Sequence, residues 1–344
     1  MKLDVLRLVF AADPHVRGTS PQARRDNYLT AICEKLLWTV RLVNQYSADG
    51  PAALIIGGDL FDSPDASYSV TAQVAQILKA SLCPVIGVWG NHDLYGYNPA
   101  TLDRTPLGLL ARLGIIQLLG PDDGYFLPDY STRITGRGFD WDVDKSIQDY
   151  QQKPWSPPAA VRIHVVHGMA VERQLPHGIR CTVLQEVVGT DIVLTGHEHI
   201  GYGIRKHGKT CWVNPGALGR LTARVEEMVR KPRVAVITVL PVAEQTGKMA
   251  DYPFNVNLID VPHKPGDEVL SRDALQEVAA HEERLSEFLD LLKAEASAHQ
   301  LLDAPAMIRY LAEQKGFAEP IATEALRRLD MAREDLAGKG RRLA

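Results

Sequence analysis

AALIIGGDLFD, residues 52–62, is an apolar run that passes without a polar break into Gly57-Gly58-Asp59, with a second acid, Asp62, three positions on. Such a run, closed by glycines, reads as a short buried strand whose carboxyl end carries the polar residues. The pattern recurs on both sides. Residues 3–12 (LDVLRLVFAA) end at Asp13-Pro14-His15, and residues 84–89 (PVIGVW) end at Gly90-Asn91-His92-Asp93. Between these runs, Leu29, Ile32, Cys33, Leu36, Leu37, Val40 and Val43 recur at helical spacing over 26–46, with Asp26 as the helix start. Residues 68–80 read as a second helix. Strand–helix–strand–helix–strand order predicts an α/β core of parallel strands, with binding residues at the strand carboxyl ends.

The second half changes rhythm. Residues 161–166 (VRIHVV) lead into His167-Gly168, and 191–195 (DIVLT) lead into Gly196-His197-Glu198-His199. Short strands are expected at 201–205, 210–213, 233–240 and 255–261, with 172–188 a helix or loop insertion. Two packed sheets with flanking helices follow. The expected division is 1–240 as the catalytic domain, 241–267 as a linker and short capping segment, and 268–344 as a helical region for docking a partner or a second copy. That last region is marked by Leu275, Val278, Leu285, Phe288, Leu289 and Leu292 near 271–298, and by helix starts at Asp303-Ala304-Pro305 and Glu319-Pro320.

The 344 residues carry a formal net charge of −4, all of which falls after residue 263, so the body is neutral. No apolar run approaches the length of a membrane span. Cys33, Cys83, Cys181 and Cys211 form no C-x-x-C pair, which points to free thiols in a reducing cytoplasm and away from a thiolate zinc cluster.

Each polar turn alone is most often a plain turn or helix cap. Five in order, each after an apolar strand, point to chemistry. Carboxylates and an amide mixed with imidazoles suit Mn²⁺, Fe or Zn²⁺ better than Ca²⁺ or Mg²⁺. The Asp-x-His and His-x-His spacings put both side chains on one side of an extended chain. Seven ligands exceed one tetrahedral site and suit two ions about 3.5–4 Å apart that share a carboxylate, an arrangement used to hydrolyse phosphate esters.

The order D-x-H, G-D-x-x-D, G-N-H-D, H-G, G-H-x-H resembles that of the calcineurin-like metallophosphoesterases. The resemblance covers roughly residues 5–240 and implies a four-layer α/β/β/α sandwich. The stretches GGDLFDSP, GNHDLYGYN, VVHGM, VLTGHEH and VNPGALGR, and the strand NVNLIDVP before a helical tail, resemble the Mre11/SbcD group of DNA-repair nucleases more closely. Carried onto this chain, the resemblance implies that Asp13, His15 and His199 hold one ion. Asn91, His167 and His197 hold the other, and Asp59 bridges. His92 is then the non-ligand imidazole beside the scissile phosphate. The spacing further suggests that Asp62 orients His92. Ala217 stands where that pattern often has Ser.

The leading expectation is a two-metal DNA exo- or endonuclease of DNA repair or end processing, using Mn²⁺. Its implied partners are DNA, a coiled-coil ATPase of the Rad50/SbcC type and a second copy of the chain. Residues 204–233 hold eight Lys and Arg against Glu226 and Glu227. From these Arg205, Arg220 and Arg224, together with Arg17, are the expected DNA contacts. Tyr95, Tyr97, Phe139 and Trp141 are candidate stacking residues. The alternatives are a small-molecule phosphodiesterase or phosphatase, cyclic nucleotides included, and a subunit that only binds DNA ends or an ATPase.

Overall fold

The computed structural model describes all residues except 1–3, 123, 155, 157, 177–178, 246–252, 274–303 and 329–344. The chain divides into two units, Met1–Leu270 and Ser271–Ala344. In the first, the strands are β1 (Leu6–Ala11), β2 (Ala52–Gly57), β3 (Val85–Val88), β4 (Gln117–Leu118), β5 (Tyr125–Leu127), β6 (Thr132–Arg137), β7 (Val161–His167), β8 (Ala170–Val171), β9 (Thr182–Val183), β10 (Ile192–Gly196), β11 (Gly203–His207), β12 (Thr210–Asn214), β13 (Arg233–Val239) and β14 (Phe254–Asp260). The helices that pack on them are α1 (Tyr28–Ser47), α2 (Tyr68–Lys79) and α3 (Pro106–Arg112).

One mixed sheet has the order β14-β13-β1-β2-β3-β4, the other β11-β12-β10-β7-β6-β5. Strands β1 to β4 run parallel, as do β6, β7, β10 and β12. Alternation along each strand makes the layers. Leu8, Phe10 and Ile55 from the first sheet share a buried core with Ile163, Val165, Leu194 and Val213 from the second. The intervening Val9, Leu54 and Ile56 pack instead with Ile32, Leu36, Val40 and Val43 of α1 and Val70 and Val74 of α2. Beyond the second sheet, Val166, Val193 and Trp212 cluster with Tyr150, Leu184 and Val187. The architecture is two mixed sheets flanked by helices.

Three local readings are sharpened. Asn27, not Asp26, caps α1, its side chain accepting the Thr30 N–H at 3.0 Å, because Asp26 is engaged by the Arg24 guanidinium. Residues 254–260, expected within the linker and capping segment, join the first sheet. They pair antiparallel with β13 along its whole length, and Phe254, Val256 and Leu258 pack on the inter-sheet core. Of the two readings of 172–188, the loop holds among its described residues, with β9 there paired to β8. In the second unit the helices Ala304–Lys315 and 319–328 share a small core of Ile308, Ala312, Ile321 and Ala325. The helix expected near 271–298 lies, past residue 273, outside the described residues. No described helix is long and apolar enough to cross a membrane.

The parallel strands deliver every motif to one end of the sandwich. In register, Gly196 of β10 faces His167 of β7, so the His197 turn opens beside that imidazole. Trp212 is fully buried on β12, its ring 5.1 Å from that of Tyr150 and its Nε1–H donated to the Gln185 carbonyl at 2.7 Å. Replacing it removes that packing and orphans the carbonyl. Trp212→Ala is expected to lower unfolding free energy by about 3–5 kcal/mol in urea titration.

Candidate metal centre

Four of the expected ligands, Asp13, His15, Asp59 and His197, sit at positive φ: 47°, 48°, 47° and 80°. The Asp-x-His pair is therefore not extended, and its convergence comes from left-handed turns, not from strand alternation. Such turns cost about 1–3 kcal/mol each outside glycine and persist where the surroundings over-determine them. Here the determinants are visible. His15 N–H donates to the Asp59 carbonyl and Val16 N–H to that of Leu60, stitching the first turn to the second. Asp93 ties the second to the third, accepting N–H groups of Gly90 (2.9 Å), Phe61 (3.0 Å) and Leu60 (3.3 Å). The glycines before the ligands leave no room for a side chain. A Cβ on Gly90 would meet Asp59 Oδ1 at 2.0 Å, and one on Gly58 would meet His167 Nδ1 at 2.2 Å.

The donor atoms of Asp13, His15, Asp59 and His199 lie within 4.8 Å of one another, as do those of Asp59, His167 and His197. Asn91 joins the second set, its Oδ1 3.2 Å from His167 Nε2. Asp59 belongs to both. Its Oδ1 accepts the His92 N–H at 2.8 Å, while Oδ2 is buried without a hydrogen bond, 3.5 Å from His15 Nε2 and 3.3 Å from His167 Nε2. Asp13 repeats the division, with Oδ1 on the His197 N–H at 2.9 Å and Oδ2 buried and orphaned. His167 donates Nδ1–H to the Gly57 carbonyl at 2.9 Å, which makes Nε2 the atom that can turn to a cation once its proton leaves. The Nε2 atoms of His15 and His199 stand 3.0 Å apart. Orphaned carboxylate oxygens and inward-facing imidazole nitrogens in one buried place fit two divalent cations that share Asp59.

Electrostatics agree with that fit. Burial opposes charge on Asp59, yet the His167 and His15 imidazoles hold its carboxyl far below the usual range. Burial raises Asp13 to about 6 against the pull of His167. Burial would lower His167, but Asp59 and Asp13 lift it to about 9, and His15 is lifted likewise by Asp59, Asp62 and Asp13. Burial, then the charges on His167 and His15, presses His197 to about 4 and His199 to about 3.

The Asp62 carboxylate does not orient His92. It lies 3.2 Å from His15 Nδ1 and 2.8 Å from the Arg17 guanidinium. His92 is oriented by the backbone carbonyl of Asp62, which accepts its Nδ1–H at 2.9 Å and leaves Nε2 free. The expected DNA contacts separate. Arg220 is 2% exposed, an interior residue bonded to the Lys264 carbonyl, and cannot lie along a strand of DNA. Arg205 is paired with Glu172. Arg224 is exposed on a cavity of about 560 Å³ that His197 and His199 also line. Tyr95 turns to Asp65, whereas Tyr97, Phe139 and Trp141 cluster, and Phe139 lies 6.0 Å from the His197 ring. In the sequence Asp93 and Asn214 stand out only as parts of motifs. Asn214 donates to the Glu198 carbonyl and accepts the Gly216 N–H, joining the NPGA turn to the G-H-x-H turn.

Residues 6–201 match the family model of the calcineurin-like phosphoesterases. The chain belongs to that family. Among solved structures it is similar to the calcineurin-like phosphoesterase YfkN from Bacillus subtilis (14% identity, 81% of this chain and 97% of that one, TM-score 0.49). It is also similar to a 5′-nucleotidase precursor from Thermus thermophilus (11%, 83% and 60%, 0.42) and to a 5′-nucleotidase from Candida albicans (14%, 76% and 52%, 0.44). The chain thus spans 60% and 52% of the two nucleotidase chains. No curated protein matches it.

Two outcomes follow for this calcineurin-like phosphoesterase. Gly90→Ala, which drives a Cβ into Asp59, and Asp59→Asn, which removes the shared charge, are each expected to weaken metal retention at least about 10-fold, read as metal content after dialysis. His167, lifted to about 9, carries a proton at pH 7 in metal-free protein and must lose it to become a ligand. Metal loading at pH 7 should therefore release protons to a pH indicator, and affinity should fall further as pH drops.

Proposed function

We propose that this calcineurin-like phosphoesterase hydrolyses a phosphoester of a nucleotide-sized small molecule, a phosphodiester in the first instance. The observation that carries the reading is the aromatic group beside the ligands: Trp141 is 59% exposed and Tyr97 44%, and Phe139 joins them to His197. Exposed rings held edge to face offer a base-sized ring a stacking surface next to where a phosphate would sit. The burial of Arg220 takes from the basic stretch one of its expected backbone contacts.

Two divalent ions, Mn²⁺ being the expected species, would be held by Asp13, His15 and His199 and by Asn91, His167 and His197 across Asp59, supplying charge on the phosphoryl oxygens and an acidified water. His92, fixed through Nδ1, presents Nε2 to the phosphate. In its protonated form it donates to the developing oxyanion or the leaving oxygen. The Asp62 carboxylate, itself paired with Arg17, holds the His15 ring from behind.

A second reading is a DNA nuclease of the Mre11/SbcD kind, with a Rad50/SbcC-type ATPase and a second copy as partners. It is favoured by the VNPGALGR and GGDLFDSP stretches and by Arg17 and Arg224 near the ligands. The two readings part in one assay. With Mn²⁺, turnover of a nucleoside 5′-aryl phosphodiester without cleavage of labelled single- or double-stranded DNA supports the first. DNA cleavage at comparable or higher efficiency replaces it with the second, and hydrolysis of neither substrate removes both. His92→Ala should keep its metal and lose about 10²–10⁴-fold in kcat. Trp141→Ala should raise KM for the nucleoside ester about 10-fold with kcat little changed.

A further inference from the structure

A cavity of about 730 Å³ opens between one face of α1 and residues 262–269, and it shares no lining residue with the metal cluster. Arg24, Lys35, Arg41, Arg220 and Lys264 line it, against Asp26 and Glu34. Asp26 is already engaged, both oxygens taking the Arg24 guanidinium at 2.7 Å. Lys35 is 6% exposed and Arg220 2% exposed, and Arg220 Nε is buried without a hydrogen-bond partner. Burial and the neighbouring Arg24, Arg220 and Arg230 press the Lys35 ammonium down to about 7.

Part of this charge has a structural use. Arg24 donates to the Arg220 carbonyl, and Arg230 donates to the carbonyls of Ala217 and Gly219 while pairing with Glu227. Those bonds account for Arg24 and Arg230. They leave Lys35 and Arg41 lining one cavity, with the charge of the interior Arg220 behind them and Glu34 as the remaining acid. Cations gathered in partial burial repel one another, and the arrangement is relieved when an anion enters with several acceptor oxygens.

We propose that this cavity is a binding site for a phosphate-class oxyanion, seated on Lys35 and Arg41 with the charge of the interior Arg220 behind them. The anion is either the phosphate of a free phosphorylated molecule or a phosphate of a nucleic-acid strand. The proposal is independent of the substrate reading above. The loop that carries Arg220 also bonds the metal-ligand turns, through Ala217 N–H to the His199 carbonyl and Leu218 N–H to the Ala12 carbonyl. An occupant is therefore one loop away from the reaction centre.

Isothermal titration of the metal-loaded protein with pyrophosphate, and separately with a 5′-phosphorylated single-stranded 12-mer, tests it. The comparison is with Lys35→Gln and with Arg41→Glu, the latter an exposed position on α1 where folding is not at risk. Aryl phosphodiester turnover is expected to be unchanged in both variants. The expected result is at least a 10-fold loss of affinity in each variant for at least one probe. Loss for pyrophosphate alone assigns the site to free phosphorylated molecules, and loss for the 12-mer assigns it to nucleic acid. Equal affinities of wild type and Arg41→Glu for both probes would overturn the proposal.

Discussion

Asp59 is held with Oδ1 on the His92 backbone N–H and Oδ2 between the imidazoles of His15 and His167. A carboxylate buried that way, with one oxygen free of hydrogen bonds, is costly unless positive charge reaches it from both sides. Much of the surrounding loop structure answers to that requirement. The second turn is left-handed at Asp59 itself, Gly90 gives way so that the carboxylate fits, and Asp93 accepts three backbone N–H groups to keep both turns in place. The two sheets supply what loops cannot, a rigid base. Core residues on both sheets lie beneath the turns, and the parallel strands point their carboxyl ends the same way.

The orienting bonds form a layer of their own. His167 is fixed by the Gly57 carbonyl, His92 by the Asp62 carbonyl, and Asp13 by the His197 N–H. Main-chain groups hold the side chains at these points. Backbone partners cannot change rotamer, so they set each ring's tautomer and direction more firmly than a side chain would. Asp62 is the exception, with its carboxylate on His15 and its backbone on His92, so one residue positions a candidate ligand and the neighbouring imidazole together.

Much of this is legible in the sequence. Asp13, His15, Asp59, Asn91, His92, His167, His197 and His199 announce themselves because each follows an apolar run, and a strand's carboxyl end is a place a fold can present chemistry. Strand alternation is not the operative reason for the Asp-x-His spacing, since Asp13 and His15 occupy left-handed turns. Backbone conformation of that kind leaves no mark on a pattern of apolar and polar residues. Strands β4 and β5, two and three residues long, escape a sequence reading because so short a run has no period. β14 is expected as a strand, but its place at the edge of the first sheet is not legible, because FNVNLID shows which side is apolar but not which sheet receives it.

The basic stretch shows the same limit more sharply. Counting Lys and Arg over 204–233 measures composition, and composition is silent on burial. Arg220 and Arg230 turn inward, and Arg24 meets them from the start of the chain, so their guanidinium groups bond carbonyls of the 217–220 loop and of Lys264. Arginine suits that task because its planar donors reach several carbonyls at once and stay charged when desolvated. The same loop passes its N–H groups to His199 and Ala12. Cations on one side of the loop and candidate metal ligands on the other are thus connected through a few main-chain bonds. The charge that suggested a surface for nucleic acid is, for these residues, the framework that keeps one wall of the candidate metal centre in place.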